Sequence, residues 1–194
     1  EFSGLYGRYF IAASVPLFGI SLVLAVLQSI PVLVVVLMPF AIGILYSHFR
    51  MKRIFFLKNL AISAGASATL LIVVAVYSPP LFTWLPLFGF LVTGILVNTI
   101  IFDIKDIPGD AAAGIRTLPV TLGIRKTQVF CLILLAIMTF FAIPLLQTER
   151  VFWALLPYAL YKGSYIVSAT ATLLPWWFYG LIVDGEFILL FAFS

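Results

Sequence analysis

Long apolar stretches without any charged residue alternate with short polar segments along this chain of 194 residues. Three such stretches extend from Tyr9 to Ser47, from Asn59 to Phe102 and from Thr127 to Thr148. Each is at least as long as the roughly 20 residues that a helix needs to cross the hydrocarbon core of a bilayer. Their apolar residues follow one another without the alternation of barrel strands, so the pattern predicts membrane-spanning helices.

Turn-forming residues divide the apolar sequence into about seven spans. The tetrapeptides QSIP and YSPP split the first two stretches, because proline interrupts helices. The segment after residue 150 is too long for one span, and we place a boundary between Leu174 and Trp177, where an aromatic pair is typical of a membrane interface. The predicted fold is an all-α, polytopic transmembrane helix bundle, with spans at 9–29, 30–47, 59–77, 81–102 and 128–147 and two more after residue 150.

Composition agrees with this prediction, since 64% of the residues are hydrophobic and only 9% are charged. Soluble domains contain about 25% charged residues. The first apolar stretch is too long for the core of a signal peptide and lacks a cleavage site, so we interpret it as a span. The net charge of +4 does not indicate nucleic-acid binding, because apolar spans separate the basic residues and leave no continuous basic face.

Basic residues are concentrated in two of the polar segments, whereas the QSIP and YSPP turns contain none. Cytoplasmic loops of membrane proteins carry an excess of lysine and arginine. We therefore expect a cell-membrane protein whose two basic segments face each other on the cytoplasmic side. The first segment contains Arg50, Lys52, Arg53 and Lys58, and the second contains Lys105, Arg116, Arg125 and Lys126.

Three of the four aspartates lie within eight residues, in the sequence DIKDIPGD at the end of the fourth span. The C-terminal end of a helix is negative, so Asp103 and Asp106 are unfavourable there unless a cation compensates them. Pro108 predicts that the helix stops and that the chain turns at Ile-Pro-Gly, which would return Asp110 beside Asp106. We therefore expect the three carboxylates to converge at one helix end.

Oxygen ligands without histidine or cysteine suit Mg²⁺, which proteins often hold with one or two carboxylates and the phosphates of a substrate. The facing basic loop contains Arg50, Lys52 and Arg53, and Arg116 follows the aspartates. These side chains can grip phosphate oxygens. Charged side chains at one end of an apolar, aromatic-rich helix bundle thus predict a site for a lipid diphosphate.

Three other interpretations stay open at this point. The basic loop can serve topology and lipid headgroup contact alone, and charged groups in a helix bundle can mark a transporter or ion pathway. A non-catalytic membrane scaffold is the third. Lys162 is the exception to the uncharged span interiors, and we expect it near a helix end, with its ammonium reaching the headgroups.

Residues 98–123, NTIIFDIKDIPGDAAAGIRTLPVTLG, resemble the second Asp-rich motif (DxxxD) of the UbiA superfamily of intramembrane prenyltransferases, followed by the family's Gly, Thr-Leu-Pro and Gly positions. Residues 46–63 resemble the tyrosine-containing basic loop of that family. The resemblance implies nine helices around a central cavity. It also implies that Mg²⁺ assists transfer of a polyprenyl group from an isoprenyl diphosphate to a lipophilic acceptor.

The resemblance assigns roles to individual positions. Asp106 and Asp110 match the DxxxD metal ligands, and Asp103 matches an upstream acid that we also expect at the metal; all three are expected to be catalytic. Thr117 matches a family position with a supporting role. The expected substrate-binding residues are Tyr46, Arg50, Lys52, Arg53, Asn98 and Arg116.

One departure from the family is the absence of its first Asp-rich motif, since no aspartate precedes Asp103. With seven predicted spans instead of nine, we expect residues 1–194 to be a single prenyltransferase domain that lacks its first two helices. Taken as complete, the chain would lack half of the metal site. The acceptor stays open among quinone-ring precursors, a prenylated glycerol phosphate and porphyrins; the DIKDIPGD sequence is closest to the archaeal lipid and quinone branches.

Overall fold

The computed structural model describes residues 2–48, 54–145, 149–169, 178–183 and 185. Its regular elements are helices, and no strand occurs in these ranges, which confirms the all-α prediction. The helices are α1 (Phe2–Gln28), α2 (Ile30–His48), α3 (Leu57–Ser67), α4 (Thr69–Tyr77), α5 (Leu81–Lys105), α6 (Ile107–Ala112), α7 (Leu118–Leu122), α8 (Ile124–Ala142), a 3₁₀ turn (Ile143–Leu145), α9 (Glu149–Ser168) and a π-helix (Phe178–Val183).

Three helical segments in the described ranges are long and apolar enough to cross a membrane: Leu57–Tyr77, Leu81–Lys105 and Ile124–Ala142. Shorter apolar helical stretches cover Ala12–Gln28 and Ile30–Leu45. These helices identify an integral membrane protein and follow the predicted spans as far as residue 145. The predicted boundary between residues 174 and 177 lies outside the described residues.

The segment Leu57–Tyr77 consists of two helices joined at a single residue, Ala68. Ala68 keeps right-handed helical angles (φ −61°, ψ −21°), and the Leu71 amide donates to its carbonyl over three residues instead of four. The span predicted at 59–77 is therefore present, with a tightened turn in its middle. Such short 3₁₀ turns are common at the junctions of α-helices.

Helix α5 lies at the centre of the packing, with α3 and α8 as its main neighbours. Val97, Ile100, Ile101 and Ile104 of α5 are fully buried in the principal core cluster. Large apolar side chains on α1 and α2 stay exposed, as expected for surfaces that face lipid. The C-terminal end of this central helix carries the aspartates, so the core determines where they lie.

Gly89 allows α5 to approach α8 closely. A Cβ atom added at Gly89 would lie 2.7–2.8 Å from ring atoms of Phe141. Without a side chain there, the Phe141 ring packs directly on the α5 backbone. Small residues have this role in many membrane helix pairs, where van der Waals packing drives association.

Candidate active site

The Asp-rich segment forms the junction between α5 and α6. Helix α5 ends at Lys105, and Asp106 (φ −89°, ψ 2°) connects it to α6, which has Pro108 in its first turn. The predicted helix break is confirmed, although Ile-Pro-Gly starts a new helix instead of forming an open turn. The Asp110 amide donates to the Asp106 carbonyl (2.8 Å), so these two residues lie one helical turn apart.

Two glycines shape the chain after the aspartates. Gly114 (φ 67°) follows α6, and the Ile115 amide donates to the Asp110 carbonyl (2.8 Å), which closes the end of that helix. Gly123 (φ 79°) joins α7 to α8. Positive φ angles favour glycine because it has no Cβ. The two glycines that follow the aspartates in the predicted motif therefore have a backbone explanation.

Asp103 makes an ion pair in the contact between α5 and α3. Lys58 Nζ lies 2.6 Å from Asp103 Oδ1, and Asn59 Nδ2 donates to Oδ2 at 3.0 Å. The Asp103 side chain is only 4% exposed and that of Lys58 16%. Asp103 thus lies at the negative end of α5 but also beside the positive end of α3, which, together with the Lys58 ammonium, stabilises the carboxylate.

A strained residue precedes the first turn of α3. Phe56 has a left-handed backbone (φ 62°, ψ −25°), which costs a residue with a side chain roughly 1–2 kcal/mol. Its ring packs edge-on against Phe130 of α8, with centroids 5.9 Å apart. This turn places Lys58 and Asn59 at the start of α3, where both reach Asp103.

The structure does not bring the three carboxylates into one metal-binding group. Across the described ranges, no three acidic, histidine or cysteine side chains are close enough to hold a metal ion. Asp103 is turned toward α3, whereas Asp106 is exposed and Asp110 half-buried. Asp110 Oδ2 is buried and has no hydrogen-bond partner within the part of the chain that the structure describes. The carboxylates of Asp106 and Asp110, the latter with a buried oxygen that accepts no hydrogen bond there, fit the oxygen donor set of Mg²⁺.

The predicted phosphate-binding residues are only partly within the described ranges. Residues 49–53, which include Arg50, Lys52 and Arg53, and the side chain of Tyr46 lie outside them. Arg116 is exposed between α6 and α7. Lys58, five residues after Arg53, contacts Asp103 directly, so the end of the basic loop lies beside the aspartates, as predicted.

The prediction for Lys162 is wrong, because this residue is fully buried within α9 and does not extend from a helix end. Its ammonium donates to Asn98 Oδ1 (2.7 Å), and the Tyr165 hydroxyl donates to the same oxygen (2.8 Å). The rings of Tyr158 and Tyr165 each lie 5.5 Å from the ammonium. Asn98, predicted to bind substrate, therefore belongs to a buried polar cluster about 7.5 Å along α5 from Asp103.

Sequence reasoning missed two of the residues at this site. The charge pattern assigns Lys58 to topology alone, and it does not single out Asn59. A signal was present, because Asn59, Ser63 and Ser67 recur at intervals of four and are all buried on one side of α3. A polar stripe at helical spacing in an apolar span indicates a face directed toward protein instead of lipid.

Two comparisons with known proteins found matches to this chain. A digeranylgeranylglyceryl phosphate synthase from Thermococcus gammatolerans is 34% identical over 111 residues, which are 57% of this chain and 39% of that relative. The match therefore spans about two-fifths of the curated relative. No solved structure matches the chain. A model of the UbiA prenyltransferase family matches residues 7–187, nearly the whole sequence, and the chain therefore belongs to the UbiA prenyltransferase family.

Proposed function

We propose that the protein transfers a polyprenyl group from an isoprenyl diphosphate to a lipophilic acceptor within the membrane, in a Mg²⁺-dependent reaction. Family membership supports prenyl transfer as the reaction class. The observation that carries the site assignment is the turn formed by Asp106 and Asp110, with the buried, unpartnered Oδ2 of Asp110. A carboxylate oxygen without a partner is costly unless a ligand or ion engages it.

Asp106 and Asp110 would hold the metal ion, and Arg50, Lys52, Arg53 and Arg116 would bind the diphosphate. Charge neutralisation at the departing diphosphate is the chemistry that Mg²⁺ supplies when bound. The proposed reaction breaks the allylic C–O bond, and its electron pair leaves with the diphosphate. For an acceptor that is an alcohol, its hydroxyl oxygen would form the new C–O bond and pass its proton to the departing diphosphate.

Aromatic side chains next to the aspartates would protect an electron-deficient prenyl group from water. The rings of Phe102 and Tyr179 lie 5.6 Å apart, and Lys105 Nζ is 5.4 Å from the Tyr179 ring centroid. A ring that already attracts an ammonium can also face a carbocation. The apolar helices around this end of α5 would exclude competing water.

A prenylated glycerol phosphate is the acceptor that we favour. The relative from Thermococcus gammatolerans is named a digeranylgeranylglyceryl phosphate synthase, and its match to this chain is moderate in identity and partial in length. A quinone-ring precursor is the second acceptor to test. Both acceptors are lipophilic and present an oxygen or an aromatic carbon as nucleophile, so the donor half of the site would be the same.

The test is an assay of the complete protein with labelled polyprenyl diphosphates, Mg²⁺ and both acceptors. We expect product formation that stops when EDTA removes the metal. Asp106→Ala and Asp110→Ala should each lower kcat/KM by about 10³-fold or more, since loss of one group that stabilises the departing charge typically costs 10²–10³-fold and here the metal would be lost as well.

Glu149→Ala is the matched control, because Glu149 is an acidic residue at the first position of α9, outside the Asp-rich segment. This variant should keep wild-type kinetics. Retained turnover in the Asp106 or Asp110 variant would remove that residue from the metal site. A wild-type protein that neither binds nor consumes any polyprenyl diphosphate would favour the transport or scaffold hypotheses instead.

A further inference from the structure

We propose that Asp103 is a positioning residue, which with Lys58 and Asn59 holds the start of α3, where the basic segment ends, against the Asp-rich end of α5. The proposal assigns Asp103 a different role from the metal ligand that the sequence predicts. It rests on the proposed function for the identity of the ligand, a lipid diphosphate. The contact itself is a feature of the structure, whatever the substrate.

Both carboxylate oxygens of Asp103 are engaged by residues of α3. Oδ1 pairs with the Lys58 ammonium at 2.6 Å, and Oδ2 accepts from the Asn59 amide at 3.0 Å. A charged donor and a neutral donor, both on α3, engage separate oxygens of the carboxylate. The orientation of the Asp103 side chain between α5 and α3 is therefore defined. Charge-assisted hydrogen bonds of this kind are about twice as strong as neutral ones and are specific in geometry.

The rest of α3 supports the contact. Asn59, Ser63 and Ser67 form a buried polar stripe, and α3 packs along α5. Ser63 Oγ donates to the Asn59 carbonyl at 2.8 Å, which satisfies the hydroxyl within its own helix. Small side chains allow two membrane helices to approach closely. Helix α3 is therefore packed on α5, and the ion pair lies at the first turn of α3.

Phe56, the residue immediately before α3, has a strained backbone. Phe56 keeps a left-handed backbone that a phenylalanine adopts only when its surroundings compensate the strain. Its ring contact with Phe130 and the contacts of Lys58 and Asn59 with Asp103 are such compensations. Strained residues of this kind are concentrated where a protein needs a defined geometry at a functional site.

This contact joins the end of the basic segment to the Asp-rich end of α5. Lys58 is the last basic residue of that segment and follows Arg53 by five positions. Asp106 follows Asp103 by three residues at the same helix end. The contact thus holds Lys58 and the start of α3 next to the segment that contains the proposed metal ligands.

The experiment compares Asp103→Asn, Lys58→Met and the reversed pair Lys58→Asp with Asp103→Lys, in the complete protein. Two quantities are measured: the kinetic constants for the prenyl diphosphate, and the rate of trypsin cleavage after Arg53, which needs no activity. Each single variant should raise the KM for the donor about tenfold with a much smaller change in kcat, because the start of α3, where the basic segment ends, is no longer pre-positioned. Cleavage after Arg53 should become several-fold faster.

The reversed pair distinguishes a positioning role of Asp103 from a metal-binding role. It should bring the KM and the cleavage rate back to within about threefold of the wild type, because the ion pair is restored with opposite polarity. Lys126→Met is the matched control. Lys126 is an exposed lysine near the start of α8, so this variant has the same lysine-to-methionine change without loss of the ion pair with Asp103. It should change neither quantity.

Each outcome decides between the roles. A reversed pair as inactive as Asp106→Ala, with normal cleavage after Arg53, would show that Asp103 is a metal ligand and overturn the proposal. If the wild type itself is inactive, the proposed function fails, and the cleavage rates still decide whether the pair holds the start of α3. If Asp103→Asn does not fold, Asn59→Ala replaces it in the test, because this variant removes only the donor to Asp103 Oδ2. It should raise the KM and the cleavage rate by smaller factors.

Discussion

Asp103 and Asn98 are buried polar residues of α5, and each is stabilised by a lysine from another helix. Lys58 of α3 pairs with Asp103, and Lys162 of α9 donates to Asn98. A charged group in a membrane span is expensive unless it is paired or hydrogen-bonded within the protein. At the residue scale, each of these two lysines therefore joins α5 to one neighbouring helix.

Asn98→Leu should destabilise the protein by about 1.5–3 kcal/mol, because it removes a hydrogen-bond acceptor from a buried ammonium. The Tyr165 hydroxyl loses the same acceptor. The measurement is the free energy of unfolding in detergent, from denaturant titration. Thr99→Val is the control on the next residue, since the Thr99 hydroxyl bonds only to the Leu96 carbonyl of its own helix among the contacts that the structure gives it. Equal losses in the two variants would contradict a stabilising role for the Lys162 contact.

At the scale of elements, α5 organises the fold through two different surfaces. One surface meets α3 through the polar stripe and the Asp103 ion pair, and the other meets α8 through Gly89 and Phe141. Hydrophobicity cannot select between such surfaces in a bilayer, because lipid is as apolar as the side chains. Close packing and polar contacts select them instead.

Gly89→Ala should lower the free energy of unfolding by about 1–3 kcal/mol, since the new methyl group would overlap the Phe141 ring and force a rearrangement. Gly19→Ala is the matched control in α1, where an added Cβ meets nothing within 4 Å. The control should be neutral or stabilising by up to about 1 kcal/mol, as alanine is the better helix former. Thermal unfolding of both variants in one detergent gives the comparison, and equal Tm values would show that α5 and α8 are not in close contact there.

At the scale of the whole molecule, the aspartates and the YSPP turn lie at opposite ends of α5. This helix has 25 residues, a length of about 37 Å, against a hydrocarbon core of about 30 Å. The basic residues Lys58, Lys105 and Arg116 are at the aspartate end, whereas the turn at the other end has none. We infer that the proposed active site opens to the cytoplasmic side.

Cysteines introduced at Ala113 and at Ser78 should react with a membrane-impermeant maleimide from opposite sides of the membrane, because both positions are exposed and α5 separates them. The cysteine at 113 should be labelled only from the cytoplasmic side, in inverted vesicles. The native Cys131 is fully buried and provides the unlabelled background. Labelling of both introduced cysteines from one side would contradict the topology.

Local properties of the sequence were sufficient to predict much of the molecule. The apolar helices, the helix break at Pro108 and the closeness of Lys58, at the end of the basic segment, to Asp103 follow from hydropathy, proline stereochemistry and charge bias, and the structure agrees with each of them. The family was also predicted, since its motif is a short continuous segment. The metal-binding role of Asp106 and Asp110 stays a prediction for the experiments above.

Only the tertiary structure decided the partners of the buried polar residues. Asn59 and Asp103 are 44 positions apart, and Asn98 and Lys162 are 64 apart, so local patterns contain no information about which contacts which. For that reason the local pattern places Lys162 at a headgroup although it is buried, and it does not show that Asp103, a predicted metal ligand, pairs with Lys58. The sequence by itself determined which segments enter the membrane, because transfer of a side chain into lipid depends on that side chain alone. Helix packing determined how the charges are compensated, because compensation requires two groups that only the folded chain brings together.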